Sequence, residues 1–334
     1  MLMKSIDKVL NKMNSTLNLT SAATENVITS EDVAVIVAYG AIALTSLLGN
    51  GITIAIILRN PTFHTLYNFL LLNLAAADFI TGFVSLVEIG IIAFGSQTDV
   101  LCKIFTGIIY CNIMVSINTL TAIAFERYSG IMKPIVHRNR SSKRLKFVVI
   151  SVWLSSVVTA TVVAREIRMD ETTFYCFVSN DERDWPTWKL TLGWLALVTI
   201  FVTPSVTITF LYSKIVLRFK LTGRSPTDAV SENTNGTEVA RKRAAKTVRM
   251  SILVTILFGV ALLPELVFFF LVLYDRKYVD ARLFFKIGIP TVASIAVNPF
   301  VYTLSNPTFR QEAKRLFLCC RRGNSAGMTT SQSS

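Results

Sequence analysis

The chain has 334 residues, of which 52% are hydrophobic and only 16% are charged. A soluble domain carries roughly 25% charged residues and a smaller apolar share, so an ordinary cytosolic enzyme is excluded. The net charge of +13 would suit a nucleic-acid binder, and its placement along the chain must be read before it is interpreted. Five cysteines without a C-x-x-C pair make neither a disulfide scaffold nor a zinc site.

In chain order, residues 1–32 are polar and carry acceptor sequons at Asn14 and Asn18, expected to bear sugar if this segment is extracellular. They lack the apolar core of a cleavable signal, so the first span is expected to direct insertion. Seven apolar stretches follow: Val33–Leu58, Leu66–Phe94, Cys102–Ile131, Leu145–Ala164, Leu190–Leu217, Val248–Leu273 and Leu283–Leu304. Each reaches the ~20 residues a helix needs to cross a ~30 Å hydrocarbon core. A lone spanning segment must satisfy its backbone internally, which selects helix, and the alternating ten-residue strands of a barrel are absent. The expected fold class is all-α: a seven-transmembrane-helix bundle over 33–304. An amphipathic cytoplasmic helix and a polar tail over 305–334 complete it.

Orientation follows from the loops. One set of loops, with the C-terminal tail, holds 21 Lys and Arg against four acids, and the opposite set holds 12 against 13. The positive-inside rule makes the first set cytoplasmic and the N-terminus extracellular. The basic surplus therefore reports topology and contact with an anionic lipid leaflet, and nucleic acid is not needed to explain it. Residues 220–238, rich in Gly, Ser, Thr, Asn and Pro, read as a linker.

An ionisable group in hydrocarbon costs several kcal/mol unless paired or hydrated. Asp78 stands mid-span, and Asn50, Ser116, Ser294 and Asn298 occupy comparable depths in helices one, three and seven. They read either as oxygen ligands for a cation such as Na+ or as a polar cluster holding helices together. Glu126-Arg127-Tyr128 places an acid and a guanidinium at the inner end of the third span. Pro264 in the sixth span, with Pro290 and Pro299 in the seventh, each removes a helix hydrogen bond and permits a kink.

Together these residues resemble the rhodopsin-like (class A) family of G-protein-coupled receptors from about Leu47 to Cys320. The matching motifs are Gly49-Asn50, Leu74-Ala75-Ala76-Ala77-Asp78, Cys102 with Glu126-Arg127-Tyr128, Trp153, Pro204 with Tyr212, Phe258 with Pro264, and Asn298-Pro299-Phe300-Val301-Tyr302. The resemblance implies a Cys102–Cys176 disulfide in an extracellular setting. It implies that Arg127 turns from Glu126 toward a heterotrimeric G protein when helix six swings outward. Tyr212 and Tyr302 would close a water-bridged link behind it, and Ile135 after Pro134 would form the apolar knob. The stretch beginning Pro307-Thr308-Phe309-Arg310 resembles a short helix on the inner membrane surface, with Cys319 and Cys320 as palmitoylation candidates. The tail's Ser and Thr residues suit kinases that recruit an arrestin-type adaptor.

Three positions depart from the family pattern. The usual aromatic before Pro264 is Leu262, so Phe258 is expected to carry the switch. The usual acid at the inner start of helix six is Ala244, which removes an inter-helix lock on Arg127. Helix four also lacks its outer proline.

Ile109 stands where amine receptors place an aspartate, so a biogenic amine is disfavoured. Val292 stands where opsins carry the retinal lysine, so no covalent cofactor is expected and retinal is disfavoured. What remains for an extracellular ligand is Glu88, Glu265 and Lys286, near Phe268, Phe269 and Phe270. The two acids suit a cationic group and Lys286 an anionic one; the alternative is that Lys286 and Glu265 pair with each other. A seven-helix carrier or channel would need ionisable groups along its whole pore, and a decoy receptor that does not signal is a further alternative. An enzyme is not expected: His64 and His137 lie in inner loops, and no nucleophile and base fall together.

Overall fold

In a computed structural model of the chain, residues 29–134, 142–170, 175–178, 187–222, 234–274, 281–305 and 307–326 are described. Seven helices long and apolar enough to cross a membrane are present among them. The first four are α1 (Ser30–Arg59), α2 (Leu66–Ala93), α3 (Asp99–Met132) and α4 (Ser142–Arg165). α5 runs through Thr187–Leu197, a π-helical turn Val198–Val202, and Thr203–Thr222. α6 is Thr234–Tyr274, α7 is Ala281–Ser305, and α8, at the end of the bundle that carries the basic loops and is here called inner, is Pro307–Ala326. Between α4 and α5 lie two short antiparallel strands, β1 (Ile167–Met169) and β2 (Cys176–Val178), with Met169 opposite Cys176.

Local chemistry sets the helix ends. Thr29 and Asp32 form a reciprocal capping box on α1, satisfying donors that a helix start leaves open. Thr65 and Thr98 accept from Asn68 and Leu101 backbone N–H groups at the starts of α2 and α3. Asn60 does the same for the turn at Pro61–Phe63. The π turn precedes Pro204, which has no N–H to continue the regular ladder. Thr203 donates both its N–H and its hydroxyl to the Val198 carbonyl five residues back. The proline was legible in the sequence; the extra residue in the turn was not.

The helices do not bury equally. α2 hides 61% of its most apolar window inside the bundle, whereas α4 and α5 hide 17%. Phe147, Leu154, Val158, Val206 and Phe210 face outward, the arrangement expected when lipid tails are the solvent. The main core runs from Ile56 and Leu74 through Ile117 and Ile123 to Ile215, Phe258 and Tyr302. Close approach of backbones replaces hydrophobic drive in lipid, and Gly82 is such a point: a Cβ there would meet the Ala43 carbonyl at 2.9 Å. Gly90, in the same helix, has nothing within 4 Å of the equivalent position. Gly82→Ala should therefore cost about 1–3 kcal/mol by overpacking, while Gly90→Ala should be neutral or stabilise by up to about 1 kcal/mol through helix propensity. Melting temperatures in detergent check the opposite signs.

α8 lies against the inner ends of α1 and α7. Phe309 is buried, edge-on to Phe63 with centroids 5.7 Å apart and 6.3 Å from the Tyr302 ring, and Ala313 is buried beside it. The amphipathic helix expected from the sequence is thus present, over Pro307–Ala326. Ile135, Asn14 and Asn18 lie outside the described residues, as do the side chains of Cys319, Cys320 and Ala244.

Candidate functional site

Three polar regions stack along the bundle. The outermost sits under the β hairpin. Cys102 and Cys176 are joined by a disulfide with Cα atoms 5.4 Å apart, and both are buried with Ile167. The bond ties β2 to the outer start of α3, as the family resemblance implied. Gln97 Nε2 donates toward Cys176 Sγ at 3.2 Å.

Below the hairpin is a cavity of about 70 Å3, lined among others by Tyr39, Ser85, Glu88, Ile109, Glu265 and Thr291. Glu265 is buried and accepts hydrogen bonds from Tyr110 Oη at 2.7 Å and Thr291 Oγ1 at 2.8 Å. These two residues link α3, α6 and α7 through one carboxyl group. Sequence reasoning missed both, although each sits one residue from a position it had singled out, Ile109 and Pro290. Glu88 is also buried; its Oε1 lies 3.6 Å from Cys176 Sγ, and a disulfide sulfur has no hydrogen to donate.

Lys286 does not join this group. Its Nζ lies 2.7 Å from Glu31 Oε2 at the outer start of α1, so the alternative pairing of Lys286 with Glu265 does not occur. The reason is geometric: Glu265 is closed in by Tyr110 and Thr291 inside the bundle, whereas Lys286 is on the α7 face turned toward α1. Arg282, one turn earlier, pairs with Asp32 at 3.4 Å. Asp32 also accepts from Tyr175 Oη at 3.2 Å, and burial with Asp32 alongside raises the Tyr175 phenol above its ordinary value, keeping it a donor. The Tyr175 ring stacks on Phe285 at 4.5 Å. The two basic side chains of α7 are thus both held by α1 acids. Asp32→Ala removes a buried cap and two partners and should cost about 1–2 kcal/mol. Glu31→Ala, at a side chain 74% exposed, should leave stability unchanged because exposed pairs are screened. Thermal unfolding of the two variants separates them.

The Phe run divides as its spacing requires. Phe268 is buried, Phe269 packs beside the disulfide, and Phe270 is 48% exposed toward lipid. Below them Leu262 and Phe258 are both buried in the main core. Leu262 therefore occupies an ordinary core position here.

At mid-depth the expected cluster forms, with one exception. Asp78 accepts from Ser116 Oγ at 3.3 Å and from Asn298 Nδ2 at 2.8 Å. Ser46 Oγ donates to the Asp78 carbonyl, and Asn50 Nδ2 reaches the Ser46 and Ile295 carbonyls at 3.0 and 3.4 Å. Ser294 instead donates to the Thr291 carbonyl one turn away, because a hydroxyl in a helix has a local carbonyl within reach. One carboxylate and one hydroxyl converge here, and Asn298 presents its amide nitrogen. A second polar tie joins α2, α3 and α4: Trp153 Nε1 donates to Asn73 Oδ1 at 2.9 Å, and Asn73 Nδ2 to Thr119 Oγ1 at 2.8 Å. Trp153 was singled out from the sequence; its partners were not.

The inner end opens into a cleft of about 850 Å3 lined by Thr65, Tyr67, Glu126, Arg127, Lys246 and Tyr302, among others. Arg127 Nη2 lies 2.6 Å from Glu126 Oε2, and its guanidinium sits 3.9 Å over the Tyr67 ring. Tyr128 and Pro134 are half-buried at the same end. Tyr212 and Tyr302 are buried in the core around the cleft, and their hydroxyls are not bonded to each other. Pro264 lies inside α6, and Pro290 and Pro299 inside α7.

A sequence model described as 7 transmembrane receptor (rhodopsin family) matches residues 49–302, most of the chain. The chain belongs to the rhodopsin family of seven-transmembrane receptors. It is 25% identical over 299 residues to the tachykinin-like peptides receptor 86C of Drosophila melanogaster, a match covering 84% of this chain and 58% of that one. It is 29% identical over 304 residues to the QRFP-like peptide receptor of Branchiostoma floridae, covering 85% and 77%. Against the substance-P receptor of Homo sapiens it is 26% identical over 311 residues, covering 85% and 70%. The crystal structure of squid rhodopsin superposes with a TM-score of 0.72 at 21% identity, covering 90% of this chain and 87% of that one. That likeness concerns the fold, and this receptor is accordingly a multi-pass membrane protein.

Proposed function

We propose that this receptor sits in the plasma membrane with its N-terminus outside, takes a peptide ligand at its outer cavity, and activates a heterotrimeric G protein at its inner cleft. Arg127 at the mouth of the 850 Å3 cleft carries this reading, because a guanidinium held by one neighbouring acid and one ring is readily transferred to a partner's acceptors. Receptors of tachykinin-like, QRFP-like and substance-P peptides are among its relatives, which supports a peptide as ligand. No catalytic chemistry is assigned to it.

Agonist binding outside shifts the population toward a state with α6 moved outward, by no more than the ligand's difference in affinity between the two states. Pro264 supplies the pivot and Phe258 the buried switch. Tyr212 and Tyr302 close behind Arg127, and Pro134 presents Ile135 to the G protein. Asp78 and Ser116 would offer the first oxygens to a sodium ion. Sugar on Asn14 or Asn18, palmitate on Cys319 and Cys320, and an arrestin-type adaptor at the phosphorylated tail complete the proposal. The test is GDP release from purified Gα subunits by the receptor in nanodiscs, with pools of synthetic peptides. Acceleration by at least one pool is expected; failure with every Gα class and every pool would sink it.

A further inference from the structure

The geometry points to the cavity shared by Glu88 and Glu265 as the seat of a cationic group, a guanidinium or an ammonium, carried by the ligand. This deepens the peptide-receptor reading and rests on it. Two carboxyl groups, each 6% exposed, line one cavity, and among the described residues no Lys, Arg or His lines it with them. Removing a carboxylate from water is strongly unfavourable unless an opposite charge or a full set of hydrogen bonds compensates. Glu265 has two donors, Tyr110 and Thr291. Among the described residues, the one polar contact of Glu88 is with a disulfide sulfur that has no hydrogen to donate.

An independent observation marks the same space. Ser85, 2% exposed and one helical turn before Glu88, lines the cavity, and among the described residues its Oγ has no hydrogen-bond partner. A ligand N–H would satisfy both groups. The walls include Tyr39, Phe284 and Phe285, and aromatic faces attract cations in desolvated sites. Nearby cations are already engaged, since Lys286 and Arg282 are held by Glu31 and Asp32 of α1. Among the described residues, those two ion pairs leave the acids inside without an internal counter-charge. Volume limits what enters: the cavity measures only about 70 Å3. One basic head group fits, and the remainder of a peptide must lie above it, against the hairpin. Ile109 lies on the same wall, so α3 contributes no acid at that position, and the carboxyl groups come from α2 and α6.

The experiment uses the full receptor in nanodiscs carrying Ile109→Cys on a Cys111→Ser background, with modification at position 109 read by mass spectrometry. Aminoethyl methanethiosulfonate should react about tenfold faster than its sulfonatoethyl analogue, after normalisation to a free thiol, because of the local negative charge. Arginine amide should slow that reaction about threefold or more and saturably, and neutral citrulline amide should not. Lysine amide, as the ammonium counterpart, distinguishes the two cation types. The cation preference and the protection should both disappear in Glu88→Gln/Glu265→Gln and persist in Glu88→Asp. The single Gln variants are run alongside, so the comparison holds if the double variant is not recovered folded. Equal rates for the two reagents, equal protection by citrulline amide, no protection by either cation, or undiminished protection in the Gln variants would overturn the inference. GDP release from Gα, measured on the unsubstituted receptor, is separate: intact exchange without cation preference overturns this inference alone.

Discussion

Arg127→Ala is expected to abolish G-protein activation while leaving ligand affinity at the outer cavity nearly unchanged. The guanidinium lines the inner cleft, at the opposite end of the bundle from Glu88 and Glu265, and touches nothing in the outer site. Within the receptor it contacts Glu126 at 2.6 Å and the Tyr67 ring at 3.9 Å, so turning toward a partner exchanges these contacts for new charge-assisted bonds. A charge-assisted hydrogen bond contributes roughly 1.5–3 kcal/mol, and two to a Gα acceptor set the loss of GDP-release rate at about a hundredfold or more. Arg127→Lys keeps the charge and loses the planar fork, so it should fall between. Exchange rates on purified Gα, measured with peptide-binding isotherms on the same nanodiscs, check this. Retained exchange in Arg127→Ala would remove Arg127 from the coupling mechanism.

Cys176→Ser should lower stability most among single changes outside the core. The Cys102–Cys176 bond closes a loop of sequence separation 74, and releasing a loop of that length restores about 4 kcal/mol of unfolded-state entropy on the chain-entropy account. The same change unties β2 from α3, directly above Glu88, so outer-site affinity should fall with stability. Cys102→Ser should match it, and the double variant should be no worse than either single one. Surface abundance in cells and thermal unfolding in detergent measure the effect; unequal single variants or an additive double variant would show that more than the bond had been lost.

Seven spans, the side carrying the basic loops, and the span boundaries to within a few residues were legible along the chain, except that the α6 helix begins at Thr234, well before the apolar stretch at Val248 and inside the segment read as a linker. Each follows from a one-dimensional quantity: length of apolar run and position of Lys and Arg. Asp78, Arg127 and Asn298 were legible for a related reason, since a polar group placed in hydrocarbon stands out without knowing its neighbours.

Pairing was not legible, because it depends on which helix faces meet. Lys286 and Glu265 both stood out, yet α7 turns Lys286 toward Glu31, and Glu265 closes on Tyr110 and Thr291. Ser294 lies on the expected face but spends its hydroxyl on a carbonyl of its own helix. Asn73, Ser85 and Asp32 gave no one-dimensional signal at all, since polar residues are common and only burial against a particular neighbour makes them matter. What the amino-acid order determined by itself is the number of crossings, because burying an unpaired charge or backbone in lipid is prohibitive wherever it occurs. What only the tertiary structure decided is which buried charges are paired and which wait for a partner, because electrostatic energy in a low-dielectric interior depends on separations of a few ångströms between residues far apart in the chain.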